Sequence, residues 1–267
     1  MPNTEAVTEE TAVLLARECL YRFLAAALSD PYTSDVGLVL EPNNQQLARS
    51  AADLLREEAN KPPPSPLGFG ELPLPQLDLA PFQAELRLTL GELRAEHDRV
   101  FGLVLSRECP PYETEYYSFA EPFFRAQQLA DIAGFYRAFG LETAQAAPER
   151  PDHLALELEF MAFLLRKERL ALTSAGTNAA ATEQAGICAD AQQSFLRDHL
   201  AWWVPSFAMG LRRKAERGFY LAVCQVLAAF MPIERVRLGV AAPRLPLQPA
   251  LIERPEEQTG CSGCVSS

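Results

Sequence analysis

Residues 154–165, LALELEFMAFLL, constrain this chain more than any other stretch. They span about three helical turns. Leu154, Leu156, Leu158, Phe160, Met161, Phe163, Leu164 and Leu165 face almost every direction, and only Glu157 and Glu159 interrupt them before the charged end RKER. A helix that is hydrophobic all round has no face to give to water, so it needs other helices on several sides. The stretch therefore predicts a central helix inside a multi-helix body.

The remaining pattern supplies the neighbours. Period-3.6 spacing dominates, with no convincing alternating strand. Over 11–28, Val13, Ala16, Leu20, Phe23, Leu24 and Ala27 form one stripe, Arg17, Glu18 and Arg22 are read as lying off it, and Pro31 stops the helix. A second helix is expected over 45–59 with Leu47, Ala51 and Leu54 inward, and a third from about Pro81 to Phe101 with Phe82, Leu86, Leu90, Leu93 and Val100 inward. His97 falls on that third stripe and reads as a hydrogen-bonded core residue. A further helix covers 127–139, carrying Leu129, Ile132, Tyr136 and Phe139, with Gly140 suited to its C-terminal cap. Residues 173–182 read as a loop. Two or three more helices follow, divided by Pro205 and ended by Pro232.

Between the second and third helices, KPPPSPLGFGELPLPQLDLAP (61–81) carries seven prolines. Proline lacks an N–H donor and fixes φ, so this is an extended connector. The helices before it cannot bury their stripes alone, which favours a long loop within one domain. The reading is all-α: a single helical domain over 1–240, followed by a Pro-rich acidic tail over 241–267.

Composition narrows the function. Forty-eight per cent hydrophobic residues exclude global disorder. No uninterrupted apolar run reaches the roughly 18 residues of a membrane span. The opening MPNTEAVTEE lacks the basic and apolar regions of a signal peptide, so a cytoplasmic location is expected, with the six cysteines as thiols. A formal charge of −11 argues against nucleic acid. It suits either a cationic partner or plain solubility.

No G-x-S-x-G, glycine-rich phosphate loop or H-E-x-x-H is present, and three histidines give little material for acid–base chemistry. No catalytic residue is assigned. Pro151-Asp152 ahead of the apolar helix reads as an N-cap, the Asp152 carboxylate accepting from free N–H groups. Capping leaves His153 unexplained. His153 and Glu157, four apart, share a helix face that a metal could use, but two ligands are not a site and no metal is assigned. Cys261 and Cys264 form a C-x-x-C that is incidental, metal-binding or redox-active. The run Arg212, Arg213, Lys214 and Arg217 reads as a solvated face. The aromatics of 112–124 either line a groove for an apolar peptide or belong to the core.

CPPYETEYYS, DIAGFYRAFGLE, ERPDHLALELEFMAFLLRKE and the stretch 195–230 together resemble the TorD-like family of redox-enzyme maturation chaperones, in the right order over about 11–235. The resemblance implies an all-helical cytoplasmic protein without enzymatic activity. Its partner would be the apo-subunit of a molybdenum enzyme, recognised through a twin-arginine leader or another segment until the molybdopterin guanine dinucleotide is inserted. It implies a client-binding role for Pro151, Asp152 and His153, with Glu157 on the same helix, and for Tyr112 and Glu113, with Tyr116 following. Arg150 departs from the family pattern by separating Glu149 from Pro151. A leader with paired arginines and an apolar stretch suits an acidic, aromatic-rich receptor. Two rival roles are a carrier that binds the molybdopterin nucleotide directly, and a metal-dependent regulator using Cys261 and Cys264. Monomer and domain-swapped dimer both remain open.

Overall fold

The computed structural model describes residues 4–32, 36–59, 66–82, 84–102, 108–117, 122–142, 149–175 and 178–249. Among these, the regular elements are helical, and the single β-type contact is an isolated bridge between Tyr112 and His153. In chain order they are α1 (Thr4–Leu28), the one-turn α2 (Gly37–Leu40), α3 (Pro42–Ala59), α4 (Leu90–Phe101), α5 (Pro122–Ala138), α6 (Leu154–Ala175), α7 (Ala179–Phe195), α8 (Val204–Ala215) and α9 (Phe219–Arg237). A π-helical turn, Leu196–Leu200, joins α7 to α8. The all-α expectation holds.

The all-round apolar helix is α6, and it is central. It packs along both α1 and α7, while α1 also meets α3 and α8 lies on α9. Leu154, Leu158, Met161, Leu164 and Leu165 have no solvent exposure. Phe160 sits among Phe135, Tyr136, Phe139, Phe163 and Phe195, mostly edge to face, the arrangement that ring quadrupoles prefer.

α9 is the second core helix. An 18-residue window of it reaches a mean hydropathy of 1.4, enough by length and composition to cross a membrane, yet 78 % of that window is buried within the protein. Its start is capped from outside. Gly218 brings no side chain, and the Glu96 carboxylate of α4 accepts the Tyr220 N–H instead at 3.0 Å. Gly218 has φ +88°, and a Cβ there would strike that carboxylate. Pro232, expected to end the helix, lies inside it. Its missing N–H leaves the Ala228 carbonyl without an intrahelical donor, and Leu72 of the connector supplies one at 2.9 Å. Arg235 of α9 then grips Glu71 through two 2.8 Å bonds. The described part of the connector is thus bound to the core helix.

Several registers differ from the sequence expectation. α3 buries Ala48, Ala51, Ala52 and Leu55, whereas Leu47 is exposed; small residues face α1 where larger ones were expected. α4 begins only at Leu90, because Thr89 and Glu92 form a capping box there. Leu90 itself is exposed. Leu86 is buried ahead of that helix. α6 runs into the expected loop as far as Ala175, and Asn178 caps α7. His97 is half-buried among Tyr32, Phe101 and Tyr220, with its Nδ1 3.8 Å from an Asp98 oxygen. Residues 241–249 lie against the connector and α8: the Phe69 N–H donates to the Pro243 carbonyl, and the Leu247 N–H to Ser206 Oγ of α8. Cys261 and Cys264 lie outside the described residues.

Candidate functional site

Pro110 and Pro111 cannot continue a helix, so the chain before Tyr112 is held extended. That strip pairs with the entrance to α6: the Glu113 N–H donates to the Asp152 carbonyl at 3.0 Å, and the Leu154 N–H to the Pro111 carbonyl at 2.8 Å. A short 3₁₀ turn, Glu113–Tyr116, follows, and its four residues are buried. Two of the four segments that carried the family resemblance therefore meet. Pro151 is half-buried, and its carbonyl accepts from the Tyr136 hydroxyl.

Asp152 does not cap α6. Its carboxylate is fully buried and accepts from the Thr114 N–H (3.1 Å) and hydroxyl (2.8 Å), and from Arg150 through Nε (3.0 Å) and Nη2 (2.7 Å). The cap is His153, whose Nδ1 accepts the Ala155 N–H at 3.1 Å. The physical reason is competition. The N–H and hydroxyl of Thr114 and the guanidinium of Arg150 converge on Asp152, and a charge-assisted fork outbids a neutral helix N–H. The cap requires Nδ1 unprotonated, so His153 is the neutral Nε2–H tautomer, consistent with burial lowering its pKa. Capping thus accounts for the residue that seemed unexplained in sequence.

Tyr112 is sandwiched. Its ring meets His153 edge to face at 5.0 Å, the Arg150 guanidinium lies over it at 4.3 Å, and its hydroxyl donates to Glu149. Glu115, nearly buried, accepts from Arg150 Nη1 and from both terminal nitrogens of Arg125 on α5. That pairing sets the first turn of α5 beside the junction, with Phe123 and Phe124 exposed.

Deeper in, Glu113 has no exposure; its Oε1 accepts from the Tyr117 hydroxyl and its Oε2 faces His199 Nδ1 at 3.2 Å. His199 sits on the π-turn, closed by the Ala201 N–H bonding five residues back to Leu196. Such turns re-aim a side chain and recur at functional sites. The other ring nitrogen lies 3.5 Å from the exposed Asp131 of α5. Burial pushes Glu113 up, opposed by His199. Glu157 is fully buried with neither oxygen hydrogen-bonded, and burial together with nearby Glu113 pushes it far above the usual carboxylate range. Burial therefore favours its protonated form. Tyr116 is core, its ring 5.1 Å from Trp203.

Of the residues singled out in sequence, the junction therefore brings together Pro151, Asp152, His153, Tyr112 and Glu113, and places Glu157 and Tyr116 behind them. Arg150, Thr114, Glu115, Arg125, His199 and Asp131 were missed. One sign was legible for His199: Asp-His-Leu occurs twice, at 152–154 and 198–200. Among the described residues, no group of three or more His, Cys, Asp or Glu is arranged to hold a metal.

The burial of Glu157 sets a pH dependence. A carboxyl with its pKa raised by folding makes the native state bind more protons than the unfolded one, so stability falls as pH rises above about 4.5, the unfolded value. His153 has the opposite sign: with its pKa lowered, stability falls as pH drops below about 6.5. Glu157→Gln is expected to flatten the alkaline limb and leave the acidic limb in place. Urea midpoints across the pH range check this, and unchanged alkaline slopes would place the proton elsewhere.

Over 117 residues the chain is 33 % identical to the selenate reductase assembly chaperone protein of Thauera selenatis, covering 44 % of this chain and 56 % of that protein. It is 34 % identical over 111 residues to the chlorate reductase assembly chaperone protein of Ideonella dechloratans (42 % and 53 % covered). It is 32 % identical over 104 residues to the chaperone protein TorD of Vibrio parahaemolyticus (38 % and 43 % covered). The chain spans about half the length of the curated relatives it matches. Residues 72–209, slightly more than half of the chain and including the whole junction, match the sequence model described as the nitrate reductase delta subunit. With the all-helical fold around that junction, the chain belongs to this TorD-like family.

Proposed function

We propose that this protein is a non-enzymatic, cytoplasmic assembly chaperone. It binds the apo-subunit of a molybdenum enzyme through a leader or another N-terminal segment and holds it for cofactor insertion. One observation carries the reading: the family match includes the junction of 111–117 with 149–157, and relatives about one-third identical over part of the chain are named as reductase assembly chaperones. The local chemistry supports a segment with arginines and an apolar run. The exposed Asp131 of α5 supplies negative charge, and Phe123 (76 % exposed) and Phe124 (48 %) on the same helix supply apolar surface. The deeper residues Glu113, Tyr116 and Glu157 support this face from behind.

The test is affinity capture with the tagged full chain from cells that make a molybdenum oxidoreductase, followed by titration with the captured subunit's N-terminal peptide. Burying one phenylalanine is worth about 1.5–3 kcal/mol. Phe123→Ser with Phe124→Ser is therefore expected to weaken binding by at least about tenfold, with the helical spectrum unchanged. Failure to capture any molybdenum-enzyme subunit would reject the role. Undiminished binding by the double variant would move the contact away from α5.

A further inference from the structure

The pocket at the entrance to α6 is built for a guanidinium, and this chain fills it with its own. Arg150 forks onto Asp152 through Nε and Nη2, gives Nη2 also to Thr114 Oγ1 at 2.7 Å, reaches Glu115 with Nη1 at 3.3 Å, and stacks on Tyr112 at 4.3 Å. Two carboxylates, a hydroxyl and an aromatic face therefore converge on one planar cation, a set that matches arginine and not lysine. The polar walls are buried: Asp152 and Thr114 have no exposure, and Glu115 has 4 %, while the Tyr112 face is half-buried. The occupant differs from its walls. The Arg150 side chain is 37 % exposed and the residue precedes α6, so it can swing into water without unpicking a helix.

We propose that Arg150 is an internal occupant of a guanidinium site, and that an arginine of the client displaces it. The inference rests on the assembly reading for the identity of the client and on geometry alone for the site. Its logic is electrostatic. An empty pocket would leave Asp152 as a buried, unpaired carboxylate, a costly state. Arg150 keeps that carboxylate paired while no client is present. Exchanging one guanidinium for another conserves charge and hydrogen bonds at Asp152, so the client gains only what its remaining contacts add. The plug scales the affinity of the site down to the fraction of time that the site stands open. It thereby excludes isolated cations and admits an arginine carried on a segment that also binds the neighbouring surface.

Arg150→Ala is expected to lose stability that millimolar N-acetyl-arginine amide restores and N-acetyl-lysine amide does not; the wild type should respond to neither. A short synthetic peptide with adjacent arginines and an apolar run is expected to bind Arg150→Ala about tenfold more tightly than wild type. Its paired-lysine counterpart should not discriminate. Arg150→Lys keeps the positive charge but cannot form the fork, so it should show a smaller gain in the same direction should the alanine variant fold poorly. Thermal shift and calorimetry read both arms. No preference for the arginine amide over the lysine amide in Arg150→Ala would overturn the site. Peptide binding that is unchanged or weaker in both variants would overturn displacement. The amide arm needs no client, so it would still respond if capture of a molybdenum-enzyme subunit failed.

Discussion

Arg17→Met is expected to destabilise the protein by about 3–5 kcal/mol, a large fraction of the total stability of a typical domain. Arg17 of α1 donates through Nε and Nη2 to the two oxygens of Glu234 on α9, at 2.7 and 2.8 Å, across 217 residues of sequence. Side-chain exposure is 3 % for the arginine and zero for the glutamate. Methionine fills similar volume but strands the glutamate as a buried, uncompensated charge, and that stranded charge is the source of the loss. Coupling Arg17→Met with Glu234→Leu should recover stability to near or above the wild type, because two well-packed apolar residues avoid both desolvation penalties. Urea unfolding of both variants checks this. A single variant within about 1 kcal/mol of wild type would show that water reaches Glu234.

Asp152→Asn is the second large effect, expected to cost about 2 kcal/mol or more. Hydrogen bonds to charged groups are worth about 1.5–3 kcal/mol, discounted here because Arg150 is part-exposed and keeps Glu115 as a partner. As a helix cap the same change would cost at most about 1 kcal/mol, since asparagine caps well. The larger figure follows from the bonds that the carboxylate makes to Thr114 and Arg150. His153→Ala removes the real cap and should cost about 1 kcal/mol. Equilibrium unfolding of the two variants side by side orders them. A smaller loss for Asp152→Asn than for His153→Ala would mean that the Arg150 fork does not hold the strip 111–114 in solution.

The two segments of the candidate site came from the family resemblance, while the sequence by itself determined the helical class and the central place of α6. These rest on local information. A 3.6-residue repeat of apolar side chains selects a helix wherever the partner lies, and an all-round apolar helix selects a central one. Only the tertiary structure decided which polar residues the core accepts. Arg17 and Glu18 read as lying off the stripe of α1, yet both are buried, because Glu234 and Arg169 pair them, and nothing near them in sequence announces those partners. Pro232 reads as a stop, yet α9 continues because Leu72, from a distant connector, donates to the carbonyl that proline orphans. The same holds at the site. Asp152 is a good cap by residue type, and it caps nothing because Thr114 and Arg150 reach it first. His199 reads as one histidine among three until a π-turn aims it at Glu113. Periodicity is a property of neighbours along the chain, whereas the pairing of a buried charge belongs to neighbours in space, and only the folded chain brings those together.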